Sequence, residues 1–210
     1  QTQLGGNFIP LNFDVSDLSA TKTALQTLPN DLLTNIDVLV NNAGLALGLE
    51  PADKTDFADW QQMVNTNILG LIHLTHEILP SMVANNDGYI INLSSTAGNY
   101  PYFGGNVYGA TKAFVTQFSL NLRADLVGKN IRVSNIEPGL CGGTEFSNIR
   151  FHGDDAKAAQ VYDSVQYVTP QDIANMVAWL IEQPKHVNIN RIEVMPTAQT
   201  FAGLKVVKDL

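Results

Sequence analysis

The chain has 210 residues, enough for one domain with a sizeable core. Hydrophobic residues make up 45% of it and charged residues 15%, which excludes an intrinsically disordered chain. A net charge of −8 argues against an electrostatic grip on nucleic acid or on an anionic membrane.

Short apolar runs alternate with longer amphipathic ones. Phe8 to Phe13 reads as a strand ending at Asp14. Residues 17–28 follow a Ser16 or Asp17 cap and read as a helix. Ile36 to Val40 is a second strand, ending at Asn41-Asn42-Ala43-Gly44. Residues 58–84 form a long helix or two, followed by a strand from Tyr89 to Leu93 that ends at Ser94-Ser95. A helix over 106–127 stops near Gly128. Ile131 to Ile136 is a fourth strand, ending at Pro138-Gly139. Thr169-Pro170 opens a helix over 170–182, and Ile189 to Met195 is the last strand. Runs this short, apolar on both faces, suit strands covered by helices on both sides. The strand–helix alternation predicts an α/β fold around a parallel sheet, in a single domain over 1–210.

Ligands of such sheets bind at the carboxyl ends of the strands. Asp14, Asn41 to Gly44, Ser94-Ser95 and Pro138-Gly139 collect there, although strand ends call for turn residues in any case. Metal chemistry is poorly supported. Cys141 is the single cysteine, so neither a disulfide nor a cysteine cluster can form within the chain. His73 and His76, three apart on a helix, are better read as surface or packing residues than as ligands. With no secretory signal and no apolar run long enough for a bilayer, a cytoplasmic setting is expected.

Tyr108 and Lys112 lie four apart near the start of a helix, so both side chains share one face. An ammonium near a phenol favours the phenolate and should lower the tyrosine pKa towards neutrality, where it can exchange protons. Ser95 lies thirteen residues earlier at a strand end, placed to hydrogen-bond a substrate oxygen. Asn67 sits inside the long helix, a poor place for asparagine unless its amide serves a backbone carbonyl or a water.

Asp14-Val15, Asn41-Asn42-Ala43-Gly44, Asn67, Ser95, Tyr108-x-x-x-Lys112 and Pro138-Gly139 resemble, in order and spacing, the motifs of the short-chain dehydrogenase/reductase family. The resemblance runs from about residue 7 to the end. It implies a Rossmann-like doubly wound sheet and hydride transfer with NAD(P). It further implies that Tyr108 is the general acid/base, that Ser95 orients the substrate oxygen, and that Lys112 binds the nicotinamide ribose. Asn67 would support a water. Asp14 and Val15 would touch the adenine; Asn41, Ala43 and Gly44 would line the cofactor. Pro138, Gly139 and Thr144 would hold its nicotinamide end.

The segments 104–114 and 136–147, with the tail His186-Val187-Asn188-Ile189-Asn190, resemble one subgroup, the NADP-dependent 3-hydroxy acid dehydrogenases of serine and allo-threonine type. The likeness implies a small β-hydroxy acid substrate and a homotetramer built partly on the helix of Tyr108. A small acid needs a cation or donors for its carboxylate. Arg150 is the first candidate and His152 the second.

The family's opening strand and glycine-rich turn, which cradle a pyrophosphate at a helix N-terminus, have no counterpart here. The domain is therefore expected to be N-terminally incomplete, lacking its first βαβ segment and with it the part that selects NADP over NAD, so NAD stays open. Two alternatives accompany the hydroxy acid reading. One is a reductase of a bulkier carbonyl, which would prefer an apolar lid where residues 140–165 carry Glu145, Arg150, His152, Asp154, Asp155 and Lys157. The other is a non-catalytic scaffold that kept the fold.

Overall fold

The computed structural model describes residues 6–202. Four strands, β1 (Val38–Asn41), β2 (Gly88–Leu93), β3 (Ile131–Pro138) and β4 (Arg191–Val194), form one parallel sheet in the order β1-β2-β3-β4. The helices are α1 (Leu18–Gln26), α2 (Asn30–Thr34), α3 (Phe57–Val64), α4 (Leu71–Asn85), α5 (Asn106–Asp125), α6 (Phe146–Arg150), α7 (Asp155–Gln160) and α8 (Pro170–Glu182). The Asp17 cap of α1 is present, its carboxylate accepting from Ala20 N–H, and Thr169 and Asp172 form a reciprocal capping box on α8.

Every residue of β2 is buried, as a central strand sandwiched by helices requires. Its alternate residues enter different cores. Ile90 joins Leu39 and Val133 against Ile78 and Met82 of α4 and Leu122 of α5. Tyr89, Ile91 and Leu93 join Ile136 against Leu180 of α8. Helices on both faces of a parallel sheet give the doubly wound arrangement. Arg132 fastens α8 to it: the guanidinium lies over the Tyr89 ring, 3.9 Å from its centroid. It also donates to the carbonyls of Leu180, Ile181 and Gln183, where the negative end of the helix favours a cation.

One sequence expectation needs correction, and the helices differ in detail. Phe8 to Phe13 joins no strand; residues 7–14 lack ladder pairing, and Phe8 and Ile9 are mostly exposed. Strand propensity alone does not make a strand: the backbone must find a partner edge, and β1 has only β2 beside it among the described residues. The long helix or two expected over 58–84 is a continuous helical path over 57–85, in which a π turn at Asn65–Gly70 separates α3 from α4. The short helices α2, α6 and α7 went unforeseen, because five or six residues are too few to display a helical period. The tail residue Asn188 pairs its amide with both the N–H and the carbonyl of Val133, standing in for a strand neighbour just before β4.

His73 and His76 face Glu77, and no group of three or more potential metal ligands occurs among the described residues. No described helix is long and apolar enough to cross a membrane. Ile90 is fully buried at the centre of the α4–α5 face. Truncation to alanine leaves a cavity there, so Ile90→Ala should destabilise the fold by about 3 kcal/mol. A fall in the urea midpoint at unchanged slope checks it.

Candidate active site

The carboxyl ends of β1, β2 and β3 open into one cavity of about 550 Å³. Asn42 and Gly44 line it from the end of β1, Ser95 from that of β2, and Pro138 and Gly139 from that of β3. Tyr108 and Lys112 reach it from α5, and Thr144, Phe146 and Arg150 from the segment that follows β3. Seven residues singled out in the sequence therefore meet in one place: Gly44, Ser95, Tyr108, Lys112, Pro138, Gly139 and Thr144. Arg150 joins them.

The others lie elsewhere. Asn41 is buried in the sheet, its amide donating to Asn92 (2.8 Å) and Thr75 (3.0 Å), so its side chain serves packing rather than the cavity wall. Ala43 is exposed outside the lining. Asp14 is exposed and holds Ser16 through two hydrogen bonds of 2.8 Å, which lower its pKa. Val15 rests on Gly70 of the π turn, where an added Cβ would lie 2.8 Å from the Val15 carbonyl oxygen. His152 pairs with Asp59 at 3.3 Å instead of entering the cavity.

Asn67 does what a buried amide in a helix must do to be tolerated. Its Oδ1 accepts from Leu45 N–H (2.9 Å), and its Nδ2 donates to the Leu45 carbonyl (2.8 Å) and to Thr111 Oγ1 (3.0 Å). The π turn supplies the rotation that aims it inward, and such single π turns gather at functional sites. Gly44 lies close against the same amide. A Cβ there would sit 3.2 Å from Lys112 Nζ and 3.3 Å from Asn67 Oδ1.

Lys112 is buried and donates from Nζ to the Leu93 carbonyl at 2.9 Å. Burial pushes its pKa down to about 8. Tyr108 is packed against Phe146 and the Ala46–Leu47–Met63 cluster. Burial pushes its phenol up to about 12, opposed by a hydrogen bond with Ser95 and by the charge of Arg150. This differs from the expectation that Lys112 depresses the Tyr108 pKa. The ammonium points at a backbone carbonyl, 5.9 Å from the Tyr108 ring centroid, and desolvation dominates the phenol. Ser95 is fixed by the main chain: its Oγ donates to the Pro138 carbonyl and accepts from Ala97 N–H, both at 3.1 Å.

The end of β3 is held by charge. Arg191 grips the fully buried Glu137 with two hydrogen bonds of 2.7 Å, and Asn99 bridges Glu137 to its register neighbour Glu193. Among the lining residues that sequence reasoning missed, two make polar contacts that shape the site, Gln199 and Tyr102. Gln199 accepts from Leu140 N–H at 2.7 Å and fills the space beside Gly139, where a Cβ would lie 2.3 Å from Gln199 Oε1. Tyr102 belongs to no recognisable motif, and its hydroxyl accepts from Arg150 Nη2, 48 positions away, at 2.6 Å.

The two shifted groups act oppositely on stability. Lys112 falls from 10.5 to about 8, so from pH 8 to 10.5 the unfolded chain holds more protons and stability gains as pH rises. Tyr108 rises from 10.0 to about 12, so its contribution, intact below pH 10, is lost as pH climbs through 12. Against the wild type, Tyr108→Phe should therefore lose less stability between pH 10 and 12. Urea midpoints taken across that range test it.

A family model described as short chain dehydrogenase matches residues 1–154. A probable NADP-dependent dehydrogenase of Haemophilus influenzae is 69% identical over 208 residues, covering 99% of this chain and 82% of that protein. An NADP-dependent 3-hydroxy acid dehydrogenase of Escherichia coli is 55% identical over 204 residues, covering 97% and 82%. Among solved structures, the closed form of a serine dehydrogenase complexed with NADP+ superposes with a TM-score of 0.95 at 54% identity, covering 99% of this chain and 84% of that one. With the sheet, the cavity and the Ser95–Tyr108–Lys112 set already in place, these likenesses settle its kinship: the chain belongs to the short-chain dehydrogenase family.

Proposed function

We propose that this protein is an NADP-dependent oxidoreductase that interconverts the β-hydroxyl and β-keto forms of a small 3-hydroxy acid, of serine or allo-threonine type. The observation that carries this reading is the charge of the cavity. Lys112 and Arg150 are its only charged lining residues among those described, and no carboxylate accompanies them. A chain of net charge −8 thus keeps two cations in a largely apolar pocket, which suits an anionic cofactor beside an anionic substrate. The relatives named above act with NADP and, in two cases, on 3-hydroxy acids or serine.

The residues present fit a dinucleotide. The strand ends carry small residues there, and Lys112 has one backbone acceptor for three N–H groups, leaving donors for ribose hydroxyls. Lys112 and Tyr108 would hold the nicotinamide ribose, with Pro138, Gly139 and Thr144 beside the ring and Asn42 and Gly44 along the adjoining wall. Asp14 and Val15 are the proposed adenine contacts, while Asn41 and Ala43 act through the backbone turn they form. The bound cofactor supplies or accepts the hydride.

The protein's own work is to orient the substrate and move one proton. Ser95, positioned by Pro138 and Ala97, would turn its one O–H from the Pro138 carbonyl to the reacting oxygen when substrate is present. Tyr108 Oη gives a proton to that oxygen in reduction and takes it back in oxidation. Its high pKa keeps the phenol protonated at neutral pH, ready as an acid. Oxidation needs the phenolate, which the Ser95 hydrogen bond and the Arg150 charge favour. Arg150 binds the substrate carboxylate, and Asn67 keeps the loop after β1 against α5 and is proposed to support a water behind Lys112.

A single-domain chain, a cytoplasmic setting and a homotetramer built partly on α5 complete the proposal. Exposed Phe57 and Val64 on α3, which packs beside α5, support a subunit contact there. L-serine, L-allo-threonine, 3-hydroxypropionate and a bulky secondary alcohol, each with NADP or NAD, test the function by absorbance of the reduced cofactor. Turnover of the small hydroxy acids with NADP is expected, and Tyr108→Phe should lower kcat by at least about a hundredfold. Turnover of the bulky alcohol alone would discard the hydroxy acid assignment. No turnover and no cofactor binding would favour a scaffold.

A further inference from the structure

The glycine pair Gly104-Gly105 has no part in the proton chemistry, yet it is built with little tolerance. Gly104 has φ +79°, and a Cβ there would lie 2.2 Å from the Leu49 carbonyl oxygen. A Cβ on Gly105 would lie 2.6 Å from the Tyr102 ring. The turn therefore presses against two things at once: the loop at 48–49 and the face of Tyr102.

Arg150 uses both. Its Nη2 donates to Tyr102 Oη at 2.6 Å, and its Nε donates to the Gly48 carbonyl at 3.3 Å. Gly48 N–H returns a bond of 2.8 Å to the Arg150 carbonyl. The guanidinium carbon sits 5.7 Å from the Tyr102 ring centroid and 5.6 Å from that of Tyr108. Two of the five guanidinium N–H donors are thereby used. The rest meet no acceptor, and no carboxylate pairs with Arg150, among the described residues. A part-buried cation with spare donors beside the reacting tyrosine is a site awaiting an anion. A long arginine left to itself would sample many rotamers; Tyr102 and Gly48 remove that freedom before substrate arrives.

We propose that Tyr102 is a positioning residue that sets substrate specificity: its hydroxyl aims the Arg150 guanidinium so that the site selects alcohols bearing a carboxylate close to the reacting carbon. The proposal rests on the carboxylate role given to Arg150 above. Gly104 and Gly105 serve it by letting the turn lie close against both the Leu49 backbone and the Tyr102 ring.

The test is a preference ratio, kcat/KM for L-serine over that for serinol, in which a hydroxymethyl group replaces the carboxylate. It is measured with saturating NADP on the full chain, for wild type, Tyr102→Phe and Arg150→Met. Tyr102→Phe deletes one oxygen and should lower the ratio on the order of tenfold, mainly through KM for L-serine, as expected for losing one hydrogen bond to a charged group. Arg150→Met should lower it further. If Tyr102→Phe leaves the ratio intact while Arg150→Met collapses it, the positioning role is overturned and the carboxylate role survives. Equal losses on both substrates in Tyr102→Phe would mark Tyr102 as a general structural residue and also overturn the proposal. If Arg150→Met itself leaves the ratio intact, the carboxylate reading fails and this inference falls with it.

Discussion

The buried amide of Asn67 joins three segments that the chain brings from far apart. It satisfies both main-chain groups of Leu45 in the loop after β1, and it reaches Thr111 on α5, one residue before Lys112. Each such bond contributes about 1 kcal/mol net, but leaving any of these buried groups unpaired would cost more than the bond is worth. The asymmetry makes the junction nearly obligatory. The π turn, the smallness of Gly44 and the placement of Lys112 all follow from it, since a residue that must point inward from a helix needs local unwinding to do so.

Electrostatics divides the molecule into two regimes. Outside the cavity, the two arginines of the sheet are neutralised. Arg191 is spent on Glu137, and Arg132 on the carbonyl end of α8. Inside, Lys112 and Arg150 keep unused donors. The same desolvation pushes Lys112 down and Tyr108 up; a bound anion would favour the Lys112 ammonium and, equally, the protonated form of the Tyr108 phenol. A site that buries a charged group is carried by the stability of the rest, here the two apolar faces of β2.

The sequence was a good guide wherever a signal is local. Helix α5 with Tyr108 and Lys112 on one face, the Thr169-Pro170 start of α8 and the four paired strands all declare themselves through periodicity and capping. The gathering of small polar residues at strand ends foretold the position of the cavity, because parallel topology places all those ends on one side. Asn67 was legible for the opposite reason: it broke the local rule, and broken rules tend to mark sites. The strand predicted at Phe8–Phe13 failed because pairing is not a property of one segment.

What the residues determined by themselves was the sheet, its helical layers and the chemical identity of the site, since period, caps and motif spacing are written along the chain. Only the tertiary structure decided which polar groups meet. It turned Asn41 inward to Asn92, sent His152 to Asp59, set Lys112 on the Leu93 carbonyl away from the phenol, and placed Tyr102 on Arg150. Those partnerships, and the pKa values that follow from burial, depend on distances across the fold that no spacing in the sequence encodes.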